Sequence, residues 1–230
     1  MRRPVLIVLA GFGVLTAFGV GTGFLLRAAV GRGPTALDER VLHWFVDRRG
    51  PGLTDAVRAI QFLGRTEFMF VIVALAGVLL VSSQRRVGLF LVVACVGAET
   101  FVDVIKPVVG RRRPPVHLWL EHTGRGAYPS GHALISTVVT MSVVAAIGAL
   151  TGRRIPAWLW WVAGVVPLAV GLGRLYLGVH WLTDVLGGWL IGGLWIALLV
   201  RVVLPTPIPG SSTTESPITG AAGVDGRLTP

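Results

Sequence analysis

Six long apolar runs constrain the fold of this chain more strongly than any other feature of its sequence. A helix needs about 20 apolar residues to cross the hydrocarbon core of a bilayer. Five of the runs contain no charged side chain, and the third contains only Glu99 and Asp103. The sequence therefore predicts an all-α, polytopic membrane protein with about six transmembrane helices. The predicted spans are residues 4–26, 68–84, 87–105, 133–152, 155–173 and 185–200, the last lengthened at its N-terminal end by the apolar residues 177–182.

The low content of charged residues supports this interpretation. Charged side chains make up 14% of the chain, whereas soluble globular domains carry about 25%. The single cysteine, Cys95, lies in an apolar run, which excludes a disulfide framework or a cysteine-based metal site. We expect one membrane-embedded domain over residues 1–204. Residues 205–230 are rich in Pro, Gly, Ser and Thr, and are expected to form a disordered polar tail.

The segment between the first two runs has a different character. Residues 35–65 mix charged and apolar side chains, and Leu37, Val41 and Trp44 recur at helical spacing while Asp38 falls elsewhere around the turn. This pattern predicts one or two amphipathic helices that lie on the membrane surface. The first run itself is longer than the apolar region of about 7–15 residues in a secretory signal peptide, so we expect an uncleaved anchor.

The distribution of positive charge predicts which loops share a side of the membrane. The chain has 21 basic and 11 acidic residues, an excess that would suggest nucleic acid in a soluble protein. Here arginine pairs stand at the ends of apolar runs, which is typical of membrane anchoring, so no nucleic-acid partner is expected. We place these pairs, at residues 2–3, 85–86 and 153–154, in the cytoplasm. The loop over residues 106–131 and the connection over 174–180 then lie on the opposite side.

Three motifs lie on that opposite side. They are KPVVGRRRP at residues 106–114, PSGH at 129–132, and GRLYLGVHWLTD at 173–184. In this order they resemble the KxxxxxxRP, PSGH and SRxxxxxHxxxD motifs of the type 2 phosphatidic acid phosphatase superfamily. The resemblance covers about residues 87–200 and departs from the pattern at Gly173, where the family has serine. The glycine removes one hydroxyl that could contact phosphate.

The residue types in these motifs suit a bound phosphate group. Lys106, Arg113 and Arg174 are cations, and each arginine can bind two phosphate oxygens at once. Ser130 supplies a hydroxyl, and Gly131 lets a backbone N–H approach an anion at an expected helix N-terminus. The sequence contains no cluster of carboxylates or histidines typical of a metal site, so we expect no metal and no cofactor. The three cations would then stabilise the transferred phosphoryl group.

Two histidines and one aspartate complete the candidate catalytic set. His180 and Asp184 are four residues apart, so on a helix they would share a face. The carboxylate could then accept a hydrogen bond from one ring nitrogen and leave the other free to attack phosphorus. His180 is therefore the expected nucleophile, and His132 the acid that protonates the leaving oxygen and later activates water. The resemblance implies the same role for each of these residues.

The other polar residues near the motifs have less definite expected roles. Arg111 and Arg112 are interpreted either as a solvated basic turn or as ligands of lipid head groups. Asp103 stands three residues before the lysine of the first motif and is a candidate for holding that lysine in place; the alternative is that it is solvated at the interface. Tyr128 and Trp181 are expected to be interfacial anchors.

The resemblance implies metal-independent hydrolysis of a membrane lipid phosphate or pyrophosphate through a phosphohistidine. Phosphatidic acid, phosphatidylglycerophosphate and polyprenyl pyrophosphate are all possible substrates. The expected location is the bacterial plasma membrane, with the site on the extracytoplasmic face. Two alternatives are a lipid or anion transporter that uses the same basic pocket and a vanadate-dependent haloperoxidase-like enzyme. A third is a scaffold with an inactive site. The pairing of His180 with Asp184, together with His132, favours the phosphatase.

Overall fold

A computed structural model describes residues 2–31, 33–63, 66–124 and 126–204, and these residues contain helices and no β-strand. The all-α prediction is therefore confirmed, while the predicted tail over 205–230 lies outside the described residues. A 3₁₀ turn, Val116–Leu118, follows the fifth helix. The described α-helices are α1 Arg2–Val30, α2 Ala36–Val46, α3 Pro51–Leu63, α4 Thr66–Leu80, α5 Arg85–Val109, α6 Gly131–Thr151, α7 Ala157–Tyr176 and α8 Leu182–Val203.

Five of the described helices, α1, α5, α6, α7 and α8, are long and apolar enough to cross a bilayer. The remaining predicted span forms α4, which has only 15 residues and is therefore about 22 Å long, against a hydrocarbon core of about 30 Å. The prediction that this span continues to residue 84 is wrong. Ser82 Oγ donates a hydrogen bond to Leu79 O at 3.3 Å, and such hydroxyls compete with helical hydrogen bonding. The membrane bundle therefore combines five full-length helices with one shorter apolar helix.

The two amphipathic helices predicted between the first and second spans form as α2 and α3. Helix α2 begins at a capping box, in which Asp38 N donates to Thr35 Oγ1 at 3.1 Å and Thr35 N donates to Asp38 Oδ2 at 2.9 Å. Both helices pack against α7, and α2 also contacts α8. Tyr176, at the end of α7, joins them, because its hydroxyl lies 2.8 Å from Thr54 Oγ1 and its ring meets Phe45 edge-on. The two short helices are thus fixed next to the end of the bundle.

Helix α6 lies at the centre of the bundle, where it contacts α4, α5, α7 and α8. Aromatic side chains fill the core between the helices beside it. The rings of Phe12 and Phe101 stack at 4.4 Å, and Trp195 meets Phe101 edge-on at 5.3 Å. Trp195 is buried, and its Nε1 donates to Ala94 O at 3.1 Å. The buried indole N–H therefore has the hydrogen-bond partner that it requires.

The N-terminal halves of α6 and α8 pack closely against each other. A Cβ atom on Gly188 would lie 2.6 Å from Ser130 O, and one on Gly192 would lie 2.9 Å from Leu134 O. Small residues of this kind allow membrane helices to pack backbone against backbone. The close approach lets Ser130 N donate a hydrogen bond to Asp184 O at 2.9 Å. The second and third motifs are therefore joined through their backbones.

Candidate active site

The three motifs meet at one end of the bundle, as the sequence predicted. The first motif lies at the C-terminal end of α5 and in the loop after it, the second at the start of α6, and the third in the connection between α7 and α8. Each residue predicted to contact phosphate or to take part in catalysis lies in one of these three segments. They are Lys106, Arg113, Ser130, Gly131, His132, Arg174, His180 and Asp184.

The connection between α7 and α8 determines the position of the predicted nucleophile. Gly178 has φ +75°, and a Cβ atom there would overlap with Leu118 O, so the turn requires glycine. Helix α8 begins at Leu182, and Asp184 Oδ2 accepts a hydrogen bond from Trp181 N at 2.9 Å. His180 therefore precedes the helix, and the prediction that it shares a helix face with Asp184 is wrong. The turn still brings His180 Nδ1 to 3.5 Å from Asp184 Oδ2.

The environment of His180 favours the tautomer that a nucleophile needs. The side chain is 2% exposed, and Arg113 Nη1 lies 2.9 Å from Nε2. Because a guanidinium only donates, Nε2 accepts, and the ring proton lies on Nδ1, which faces Asp184. Burial, and after it the positive charge of Arg113, holds the pKa of His180 well below its ordinary value. The imidazole is therefore neutral at neutral pH, with its lone pair on Nε2.

Three cations surround this imidazole. Arg113 Nε donates to Gly124 O at 2.8 Å. Burial, followed by the charge of Arg174, lowers the pKa of Arg113 to about 10, so it remains charged at neutral pH. Arg174 is 1% exposed and forms an ion pair with Glu121 at 3.0 Å. Lys106 Nζ would lie 3.6 Å from a Cβ atom on Gly131, so it reaches the start of α6.

The second motif contributes donors and a hydroxyl. Ser130 Oγ is buried and has no hydrogen-bond partner within the described residues. Buried hydroxyls are nearly always hydrogen-bonded, so a ligand is the natural partner for this one. Gly131 is the first residue of α6, where backbone N–H groups lack partners within the helix and favour anions. The hydroxyl and the helix N-terminus therefore lie together beside Lys106.

A cavity of about 730 Å³ adjoins part of the site. His132 and Arg174 line it, together with Gln61 and Phe62 of α3 and Phe68 of α4. Phe62 and Phe68 are among the exposed apolar side chains of the bundle. The lining of the cavity therefore combines charged and titratable groups with aromatic groups that suit a lipid chain. Within the described residues, no group of three or more His, Cys, Asp or Glu side chains is placed to hold a metal ion.

Arg111 has a role that its place in the sequence did not predict. This side chain is 4% exposed, and it donates to Asp38 Oδ2 at 2.7 Å and to Asp184 Oδ1 at 2.6 Å. It is therefore neither a solvated turn residue nor a ligand of lipid head groups. The signal available in the sequence was indirect: a carboxylate buried beside His180 needs a cation or several hydrogen-bond donors. Arg111 supplies this cation and links α2 to the start of α8.

Asp38 is the second carboxylate of this network. Burial alone would raise its pKa, but hydrogen bonds from Thr35 N, Thr183 N and Arg111 outweigh burial and bring the pKa below its ordinary value of 3.8. Asp38 is therefore ionised at neutral pH. Although it lies on an amphipathic helix with a polar face, its side chain points into the protein and is fully buried. Helix α2 is thereby connected to the candidate active site.

The remaining predictions near the motifs have mixed outcomes. Asp103 is exposed, and its side chain has no hydrogen bond or ion pair with the described residues, so the structure does not join it to Lys106. Arg112 is exposed, and its carbonyl accepts a hydrogen bond from Trp181 Nε1 at 2.8 Å. The interfacial-anchor prediction for Tyr128 and Trp181 is wrong, because both are buried. They pack in the interior, where each polar end has a partner.

Three cations, a buried hydroxyl and two histidines gathered at one end of a membrane bundle are the groups expected of a membrane-embedded phosphatase. The chain belongs to the PAP2 superfamily, whose family model matches residues 87–206. This match confirms the resemblance drawn from the three motifs. Together with the relatives below, it also confirms the prediction of a lipid phosphatase.

Two relatives and one solved structure illustrate the similarity. The undecaprenyl-diphosphatase of Sulfolobus acidocaldarius is 33% identical over 154 residues, which cover 64% of this chain and 70% of the relative. Phosphatidylglycerophosphatase B of Bacillus subtilis is 28% identical over 160 residues, which cover 67% and 77%. The crystal structure of a transmembrane PAP2 type phosphatidylglycerolphosphate phosphatase from Bacillus subtilis superposes with a TM-score of 0.59 at 27% identity. That superposition covers 87% of this chain and 96% of the solved one.

Proposed function

We propose that this protein hydrolyses a membrane lipid phosphate or pyrophosphate without a metal, in two steps, through a phosphohistidine on His180. The observation that carries the proposal is the environment of that ring. Arg113 donates to Nε2, while Nδ1 faces Asp184, so the lone pair lies on the nitrogen that points toward the cations. A neutral imidazole held in this tautomer is an activated nucleophile.

The first step transfers the phosphoryl group to the protein. His180 Nε2 attacks phosphorus, and the bond from phosphorus to the leaving oxygen breaks. His132, which takes up a proton when the anionic phosphate binds beside it, gives that proton to the leaving oxygen. Arg113 exchanges its hydrogen bond to Nε2 for one to a phosphate oxygen, which frees the lone pair for attack. Lys106 and Arg174, the Ser130 hydroxyl and the N-terminus of α6 stabilise the charge on the other phosphate oxygens. Asp184 stabilises the positive charge that develops on the ring.

The second step releases phosphate. His132, now neutral, takes a proton from a water molecule whose oxygen attacks phosphorus. The bond between phosphorus and His180 Nε2 breaks, and the electron pair returns to the ring nitrogen. Positioning and fixed charge account for most of the rate enhancement in phosphoryl transfer. The three cations supply this charge in the proposed reaction.

The residues that line the cavity support a substrate that resides in the bilayer. Phe62 and Phe68 line the same cavity as His132 and Arg174, so a lipid chain can lie against the aromatic rings while its phosphate reaches Arg174. An undecaprenyl-diphosphatase and a phosphatidylglycerophosphatase are among the relatives. We therefore propose polyprenyl pyrophosphate, phosphatidylglycerophosphate and phosphatidic acid as the substrate class.

Phosphate release by the detergent-purified protein, with EDTA present, tests this proposal. The panel contains the three lipids and one water-soluble phosphate ester. We expect release from at least one lipid, faster than from the soluble ester and unchanged by EDTA. As a control for a substitution outside the site, His117→Ala should release phosphate as the wild type does, because His117 is exposed and does not line the cavity. Loss of activity in EDTA that returns with added divalent cation would contradict the metal-free mechanism.

We also propose that the protein lies in a bacterial plasma membrane with its site on the extracytoplasmic face, because the arginine pairs at residues 85–86 and 153–154 lie at the other end of the bundle. Cys95 is the only cysteine and is fully buried, so the wild-type chain should not react with a thiol-labelling reagent. A membrane-impermeant maleimide should label His117→Cys in intact spheroplasts. It should label Ser83→Cys, at the other end, only after permeabilisation. The reverse pattern would place the site in the cytoplasm.

A further inference from the structure

Gln61 of α3 occupies the space beside Gly173, the residue at which the chain departs from the family motif. A Cβ atom on Gly173 would overlap with Gln61 Nε2 and would lie 3.0 Å from Gln61 Cδ. Carbon atoms in favourable contact are about 3.5–4.0 Å apart, so a larger residue at position 173 would displace the amide. The glycine therefore permits Gln61 to reach this part of the site.

The Gln61 amide is fixed at one end and unsatisfied at the other. The side chain is 6% exposed, and Nε2 donates to Val170 O of α7 at 3.0 Å. Because a backbone carbonyl only accepts, the amide nitrogen must face it, and the orientation of the amide follows. Oε1 is buried and accepts no hydrogen bond within the described residues. A buried acceptor without a donor is destabilising, so its donor should come from a ligand.

The reaction itself limits what that donor can be. Gln61 lines the same cavity as His132 and Arg174. The phosphate dianion of a lipid has only acceptor oxygens and cannot donate to Oε1. Water can donate to two acceptors at once, and it is the reactant of the second step, next to the base that removes its proton. Gln61 Oε1 and a ring nitrogen of neutral His132 would each accept one hydrogen bond from the same water molecule and so orient it.

We propose that Gln61 Oε1 holds the water that attacks the phosphohistidine, an inference that rests on the two-step mechanism proposed above. Oε1 accepts one hydrogen of this water, and His132 takes the other as a proton while the oxygen bonds to phosphorus. The bond from phosphorus to His180 Nε2 breaks, and its electron pair stays on the nitrogen. The hydrogen held by Gln61 remains on the phosphate that forms. Gln61 thus acts in the second step and not in the first.

The variant Gln61→Met tests this role, because methionine keeps the length of the side chain and removes the acceptor. With radiolabelled phosphatidic acid, we expect kcat to fall about 10- to 100-fold, the effect of losing one or two hydrogen bonds to a reacting group. KM should fall with it, and the steady-state fraction of acid-labile, base-stable phosphoprotein should rise, because only the second step is slowed. A merely structural role would reduce formation and hydrolysis of the phosphoprotein together.

Two further variants keep the test decisive if Gln61→Met does not fold. Gly173→Ala displaces the amide without altering Gln61 and should give the same accumulation of phosphoprotein. Gln61→Ala combined with Gly173→Ser restores an acceptor hydroxyl beside the cavity. The kcat of this double variant should be at least about tenfold higher than that of Gln61→Ala alone.

The outcomes separate this inference from the mechanism on which it rests. Unchanged phosphoprotein levels in folded Gln61→Met or Gly173→Ala, beside a wild-type chain that forms phosphoprotein, would overturn the role of Gln61 alone. A wild-type chain that releases phosphate without forming phosphoprotein would overturn the two-step mechanism and this inference together. A wild-type chain that releases no phosphate from any lipid would overturn the proposed function.

Discussion

Replacing His180 with alanine is expected to reduce phosphate release from every lipid substrate by at least about 10³-fold. In the proposed mechanism Nε2 of this ring forms the bond to phosphorus, and the residues around it cannot substitute for it. Arg113 and Arg174 carry no lone pair at neutral pH. His132 is committed to the leaving oxygen and to water. The remaining rate would come from cations that bind phosphate next to an unactivated water molecule.

The measurement must separate lost chemistry from lost folding, because His180 is 2% exposed and alanine leaves a cavity. His180→Gln, which fills more of the space and retains a polar end, serves as the second variant. Size-exclusion chromatography and thermal unfolding in detergent report on folding, and His117→Ala is the control for loss of an exposed imidazole. Phosphate release by folded His180→Gln within tenfold of wild type would remove His180 as the nucleophile. Labelled phosphoprotein that persists in either variant would lead to the same conclusion.

The spans could be predicted from the sequence because length and apolar content are local properties. A run such as residues 133–152 forms a helix when it enters a bilayer, because a helix satisfies its backbone hydrogen bonds within the segment itself. The ends of helices depend on smaller effects. Helix α4 ends at Leu80, four residues before the end of the predicted span, and the Ser82 hydroxyl donates to Leu79 O in the turn that follows. The exact start of α8 was missed for a similar reason, because the hydrogen bond from Trp181 N to Asp184 decides it.

The candidate site could be predicted only as far as its residues belong to recognisable motifs. Arg111 and Asp38 are 73 positions apart, and no local pattern pairs them. Their ion pair follows from the packing of α2 against the start of α8, which places both groups in the interior. Gln61 could not be predicted as a site residue for the same reason, because its contact with Gly173 depends on how α3 packs on α7. Long-range packing therefore decides which polar residues outside the motifs reach the site.

Replacing Arg111 with methionine is the change expected to reduce stability most, by about 3–5 kcal/mol in the free energy of unfolding. Arg111 is the cation that lies between Asp38 and Asp184, and its two ion pairs measure 2.7 and 2.6 Å. Methionine fills a similar volume but leaves two buried carboxylates without that cation. Burying an unpaired charge is costly, and one of the carboxylates must then take up a proton or the structure must rearrange. Arg111→Lys should recover only part of the loss, because one ammonium cannot reproduce the two-sided geometry of the guanidinium.

Arg112→Met is the matched control for this prediction, because Arg112 is the next residue, has the same side chain and is exposed. Thermal unfolding of the two variants in the same detergent should show a large decrease for Arg111→Met and little change for Arg112→Met. Phosphate release should fall with Arg111→Met even below its unfolding temperature, because Asp184 loses the group that holds its carboxylate toward His180. In a double-mutant cycle with Asp38→Asn, the combined loss should be smaller than the sum, since the neutral amide that replaces the carboxylate no longer needs a cation. Strictly additive effects would show that Arg111 acts on stability and catalysis without its link to α2.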